Sequence, residues 1–153
     1  MSRHSHTVAT PLGPVGLCEN AGRLVSLGWG GSAAQDAPTP LLTEAARQLQ
    51  AYFEGRLQAF DLPFDWGTGL HERVRRTMAA IPFGETLTYG QIARTVGAPA
   101  QAVGQACGAN PLPIFIPCHR VLGTKGLGGF SAKGGVETKV WLLRHEGAAG
   151  LLI

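Results

Sequence analysis

The residues best suited to chemistry stand together at Pro117-Cys118-His119-Arg120: a thiol, an imidazole and a guanidinium in succession. A cysteine by itself is among the residue types most often buried as inert packing. Its neighbours argue otherwise, because an apolar run such as Ile114-Phe115-Ile116 does not lead into two such polar groups unless partners satisfy them. The nucleophile of a cysteine is its thiolate, and an imidazole is the side chain best matched to take the proton near neutral pH. Adjacent side chains of an extended segment point to opposite sides, so His119 is expected to reach the Cys118 sulfur through a bridging water or after a local bend. A carboxylate on the far ring nitrogen would fix the useful tautomer and stabilise the charged form. Glu146 is the candidate, at the end of a helix expected from about Gly135 in which Val136, Val140 and Leu143 form an apolar stripe.

The elements that must position this segment are legible from punctuation. Asn110-Pro111-Leu112-Pro113 reads as a rigid turn, Ile114 to Ile116 as a buried extended run, and Pro117 holds the residue before it extended. Upstream, Val74, Met78 and Ile81 recur at helical spacing between Leu70 and Ile81, with Arg73, Arg75 and Arg76 left to water, until Pro82, Phe83 and Gly84 stop the helix. A short helix follows between Leu87 and Gly97, then another from Ala100 to Gly108; the pair is a candidate helix-turn-helix. The second of them, Ala100-Gln101-Ala102-Val103-Gly104-Gln105-Ala106-Cys107-Gly108, carries almost nothing bulky. Such a face abuts a neighbouring helix or lies against an external surface such as a nucleic-acid groove.

The first part of the chain is different in kind. Short apolar groups between Thr7 and Trp29, broken by Pro11, Gly13, Pro14 and Glu19-Asn20-Ala21-Gly22, predict a small antiparallel sheet. Gly30 to Pro40 reads as a loop, Thr43 as the cap of a helix ending at Gly55, and Phe60 to Trp66 as a strand or extended connector. Glycines near 67 to 69 coincide with a change of charge. Residues 1–67 hold four basic and six acidic residues, whereas residues 68–153 hold nine basic and four acidic. The expected organisation is an N-terminal α/β lobe over 1–67 and a C-terminal domain over 68–153, the latter facing any anionic partner. The fold class is α+β.

Composition narrows the alternatives further. With 44% hydrophobic and 15% charged residues the chain is globular, and it contains neither a membrane-spanning run nor a signal peptide, so a cytoplasmic protein is expected. Cys18, Cys107 and Cys118 are an odd set without CxxC spacing, which argues against a disulfide framework or a zinc ribbon. His4, His6 and Cys18 are the only nearby ligands at the N-terminus, and His4 and His6 are read as solvated; no metal is expected, and Cys107 is read as packing.

Taken in order, Gly84-Glu85-Thr86-Leu87-Thr88-Tyr89, the small-residue helix, Gly108 to Val121 with its Asn110 turn and Pro-Cys-His-Arg core, Gly128-Gly129-Phe130-Ser131, and Trp141 to Gly147 closely resemble the methylated-DNA–protein-cysteine S-methyltransferases. The resemblance covers most of the chain. It implies a ribonuclease-H-like N-terminal lobe, a winged-helix-like helix-turn-helix in the C-terminal domain, and irreversible, single-turnover transfer of an alkyl group from O6-alkylguanine in double-stranded DNA to Cys118. O4-alkylthymine is a further possible substrate. His119 is implied as the base, Glu146 as its orienter, and Tyr89 as the residue that helps extrude the nucleotide and protonates the departing oxygen. Asn110 is implied as the hinge, with Pro113, Val121, Phe130 and Ser131 around the base; the carbonyl of Val121 reads it. Minor-groove binding is implied for the second helix through Ala100, Gln101, Ala102, Gly104 and Gln105, with Thr88, Arg94 and Arg120 expected at the DNA. No cofactor is needed, and a monomer is expected, with cooperative binding along DNA left open.

An alkylated base inside a duplex must be flipped out before its O6 substituent can meet a buried thiol, at a cost of about a few kcal/mol that DNA contacts offset. The chain departs from the family where an arginine usually enters the duplex, a position occupied here by Gln101, and where a tyrosine is common, occupied by Phe130. Glutamine is shorter and uncharged, so weaker flipping is expected, with Gln101 or Gln105 substituting. Two other readings stay open at this level: a lesion-recognising module without repair activity, and a cysteine hydrolase using Cys118 and His119.

Overall fold

The computed structural model describes residues 3–31, 38–123 and 135–148 of the chain. It divides into two compact units, the first ending at Asp65 and the second beginning at Trp66.

In the first unit β1 (Arg3–Val8), β2 (Val15–Asn20) and β3 (Arg23–Trp29) form an antiparallel sheet in the order β1-β2-β3. Ala21 and Gly22, both with positive φ, make the two-residue turn that a β2-β3 hairpin favours. Helix α1 (Pro40–Phe53) packs on β1 and β2. It starts earlier than Thr43: the side chain of Thr39 accepts the N–H of Leu42, and Pro40 fills the first helical position, where its missing N–H costs nothing. Val15, Leu17, Leu24, Leu42, Leu49 and Tyr52 make the buried core. Phe60 to Trp66 is a connector, tied to the sheet by a single parallel bridge between Leu24 and Phe64.

The second unit is mostly helical. Helices α2 (Gly69–Ala79), α3 (Tyr89–Val96) and α4 (Ala100–Gly108) pack on one another around Val74, Met78, Ile92, Val103 and Ala106. Thr88 and Gln91 close a capping box at the start of α3, and Gly97 ends it in the left-handed conformation, so the turn into α4 is set by local chemistry. One stripe of α4, Val103, Ala106 and Cys107, is buried; Gln101, Gln105 and Gly108 on the other side are exposed, and a Cβ added at Gly104 would meet open space. The unit also contains a 3-10 turn (Cys118–Arg120), helix α5 (Val136–His145), and a parallel pair formed by β4 (Leu87–Thr88) and β5 (Val121–Leu122). Among the described residues this pair is parallel, so the antiparallel hairpin of a wing is not part of it.

Three local expectations need correction. Ile114 to Ile116 is buried but not extended: the Ile116 N–H bonds the Leu112 carbonyl at 2.9 Å and Ile114 has φ 74°, a left-handed conformation unusual for a β-branched residue. Arg75 is buried rather than left to water, donating to the Trp66 carbonyl at 3.2 Å. On α5 the apolar stripe is rotated: Val136 is 45% exposed, while Thr138, Lys139, Leu142 and Leu143 face inward.

Candidate active site

The backbone turns sharply into the thiol. Pro117, at φ −78° and ψ 71°, sits at the centre of an inverse γ-turn in which the Cys118 N–H bonds the Ile116 carbonyl at 2.8 Å. Cys118 therefore opens a 3-10 turn instead of ending a straight segment. Asn110 clamps the loop before it, accepting from the Leu112 N–H at 3.1 Å and donating to the Ile116 carbonyl at 2.9 Å. This one side chain holds the ends of the segment containing the strained Ile114.

Cys118 itself is half-buried by accessible surface, yet protein packs densely around its sulfur. Burial raises its thiol pKa overall, with the Asn110 side chain foremost among the groups that oppose the rise. Tyr89, at the start of α3, faces the same place: burial raises its phenol, and the Cys107 and Cys118 thiols raise it further, so it stays protonated. Cys107 is pushed up to about 12, mainly by burial, and is inert near neutral pH.

Behind the thiol lies a closed polar network. His119 is fully buried, with Nε2 2.7 Å from Glu146 Oε2, while Nδ1 finds no hydrogen-bond partner among the described residues. The carboxylate fixes the proton on Nε2 and leaves the lone pair on Nδ1. Burial lowers the His119 pKa against the raising effect of Glu146, and the charges of Arg120 and Lys139 lower it further, so the ring is a neutral base at pH 7. For Glu146, burial favours the neutral acid, but hydrogen bonds from His119 and Arg120 outweigh it and hold the carboxyl at about 2. Gly84 makes room for this network: with φ +85°, an added Cβ would stand 3.3 Å from the Glu146 carbonyl.

Arg120, expected at the DNA, is spent inside. Its Nε and Nη2 donate to Glu146 at 2.8 and 2.9 Å, and its Nη1 donates to the Ile81 carbonyl at 2.6 Å. A guanidinium this committed is the price Glu146 exacts for being buried as an anion. Val121 is buried and its carbonyl accepts a hydrogen bond from the Lys139 ammonium at 2.7 Å. Pro113 is buried in the clamped loop, the hydroxyl of Thr88 caps α3, and Arg94 is exposed in the last turn of α3. Phe130 and Ser131 lie outside the described residues. Lys139 escaped the sequence reading; its signal is the spacing Lys139, Leu142, Leu143, Glu146, which defines the inward face of α5 once phased on Glu146 instead of Val136. The opposite face of α5 carries an open groove of about 440 Å³ between Glu137, Val140, Trp141, Arg144 and His145 that contains none of these groups.

Residues 69–148 match the family model of the 6-O-methylguanine DNA methyltransferase DNA-binding domain, and residues 4–66 match that of the ribonuclease-like domain. The chain belongs to the 6-O-methylguanine DNA methyltransferase family. A methylated-DNA–protein-cysteine methyltransferase of Mycobacterium tuberculosis is 40% identical over 153 residues, spanning 94% of this chain and 92% of its own. One from Salmonella typhimurium is 39% identical over 163 residues, spanning 92% of this chain and 93% of its own. The crystal structure of Mycobacterium tuberculosis OGT in complex with DNA matches with TM-score 0.82 at 40% identity, covering 94% of this chain and 92% of that one. Within the methyltransferase frame, the sheet and α1 are the ribonuclease-like domain, and the model of the DNA-binding domain takes in both the α3–α4 pair and the thiol network.

Proposed function

We propose that this methyltransferase repairs DNA by moving an alkyl group from the O6 atom of guanine to Cys118, once per molecule. The observation that carries the reading is a partly accessible thiol next in sequence to a buried imidazole whose Nδ1 has no partner among the described residues and whose Nε2 is held by Glu146 at 2.7 Å. His119 takes the thiol proton at Nδ1 through a bridging water. The thiolate attacks the alkyl carbon, the carbon–O6 bond breaks, and its electron pair stays on the guanine oxygen. Tyr89 supplies a proton to the leaving guanine, and its phenolate is reprotonated from the imidazolium. A thioether does not reverse, which makes the reaction stoichiometric.

The exposed side of α4 is the surface for the duplex. Ala100, Ala102 and Gly104 permit close backbone approach to a minor groove, and Gln101 and Gln105 fill the space left by the everted base. Arg94 supports this surface through phosphate, and the Val121 carbonyl meets the base. A single chain suffices, acting in the cytoplasm.

Intact-protein mass spectrometry after mixing with an O6-methylguanine duplex tests the reading. One methyl per molecule, mapped to Cys118 and lost in Cys118→Ser, is expected. Binding without a mass change, or repeated turnover by one molecule, overturns it.

A further inference from the structure

Of the arginines at 73, 75 and 76 on α2, only Arg75 turns inward; Arg73 and Arg76 are exposed. A buried guanidinium is costly unless its donors are answered. This one forks between two backbone carbonyls, Nη1 donating to Trp66 at 3.2 Å and Nη2 reaching Ala109 at 3.5 Å. Ala109 is the C-cap of α4, where a helix leaves its last carbonyls without intrahelical partners and its dipole favours a cation. Trp66 lies in the segment that enters α2, and that segment is shaped for the fork. Gly67 has φ +78°, and a Cβ there would stand 2.5 Å from Arg75 Nη1, so backbone conformation and space both call for glycine. The Trp66 ring in turn lies under the Arg76 guanidinium, 4.6 Å from its centroid.

The residue after Ala109 is Asn110, whose side chain clamps the loop leading to Cys118 through the Leu112 N–H and the Ile116 carbonyl. Arg75 therefore stands where the helix that presents Gln101 and Gln105 ends and the thiol loop begins. We propose that Arg75 is a positioning residue for alkyl transfer: by holding the C-terminal end of α4 against α2, it keeps the DNA-facing helix in register with the Cys118 loop. Asn110 fixes the loop within itself, and Arg75 fixes where the loop starts. A base delivered along α4 then arrives in line with the sulfur, and a misplacement of about 1 Å costs on the order of 100-fold in rate. The exposed side of α4 does not depend on this fork, so Arg75 sets the rate of transfer and not the affinity for the duplex.

The inference rests on Cys118 as the alkyl acceptor and on α4 as the DNA surface. Single-turnover methyl transfer from an O6-methylguanine duplex, followed against protein concentration, yields a half-saturating concentration and a limiting rate for wild type, Arg75→Lys and Arg75→Met. Half-saturation is expected to stay within about twofold of wild type, while the limiting rate falls about tenfold or more in Arg75→Met. Arg75→Lys keeps the charge but loses one arm of the fork, so its limiting rate is expected between the other two. Carbamidomethylation of Cys118 by iodoacetamide is expected at the wild-type rate in both variants, because the Asn110 clamp is intact; a general loosening of the fold would change it. A limiting rate equal to wild type in the folded variants overturns the proposal, as does a loss confined to half-saturation or one accompanied by an altered iodoacetamide rate. Should Arg75→Met not fold, Arg75→Lys decides by the same criteria. A wild-type protein that transfers no methyl would instead remove Cys118 as the acceptor, a failure distinct from that of Arg75.

Discussion

Two glutamates, one in each unit, have carboxyls held at about 2 by basic neighbours, yet they do opposite things for the protein. Glu44 lies on α1 in water, hydrogen-bonded to Arg47 and Gln48. Glu146 is buried, bonded to His119 and to two nitrogens of Arg120. Exposed pairs of the first kind are screened by salt and add little to stability. In the second, removing one partner strands the others in a medium that cannot solvate them. The first unit keeps its charges mainly outside and fills its centre with Leu17, Leu24, Leu42, Leu49 and Tyr52; the second buries His119, Arg120, Lys139 and Glu146. Carboxyls depressed alike thus play unequal roles, and burial is what separates a solvated surface from a site.

The comparison breaks most readily at Glu146. Glu146→Gln is expected to lower the unfolding free energy by about 3 kcal/mol or more, read from urea midpoints at pH 7. Its pH dependence has a definite sign: a carboxyl depressed from 4.5 to about 2 contributes stability above pH 4.5 that is lost as pH falls through about 2. His119 acts in the same direction, because the unfolded chain binds below its usual pKa a proton that the folded ring resists. A gap between wild type and variant that stays constant down to pH 2 would contradict this account. Asn110→Ala comes next, at roughly 1–3 kcal/mol for two loop groups left unpaired, together with a slower Cys118 reaction with iodoacetamide. An unaltered Cys118 rate would remove the clamp from the mechanism.

Gln101→Arg changes the DNA surface and not the core, so its thermal midpoint should equal that of wild type. Affinity for a lesion duplex is expected to rise about severalfold at low salt, with the gain shrinking as salt increases, and repair should quicken. Equal binding and equal rates would place Gln101 away from the DNA. The smallest effect belongs to Glu44→Gln, whose urea midpoint should match wild type within error. A clear loss there would mean that the exposed pair is worth more than its solvation implies.

Much of this was readable along the chain because it is local. The Thr88 cap, the Gly97 terminator and the bare outer side of α4 are properties of short windows, and the order of motifs from Gly84 to Gly147 carried the family. Misreadings arose where distant groups decide. Arg120 and Lys139 look like surface cations in a linear count of charge, whereas partners far along the chain, Glu146 and the Val121 carbonyl, 26 and 18 positions away, help to hold them inside. Ile114 to Ile116 reads as a strand by composition, whereas the Asn110 clamp bends it.

What the amino-acid order determines by itself is therefore the set of elements, the helix pair, and the presence of a thiol, an imidazole and a carboxylate in a fixed succession, because propensity, capping and turn chemistry act over a few residues. Only the tertiary structure decides the state of those groups: which histidine nitrogen keeps its lone pair, which arginine is consumed as a counter-ion, and which of Cys107 and Cys118 keeps accessible surface. Ionisation is set by the dielectric and by charges brought within a few ångströms from separate segments, and packing is what brings them there.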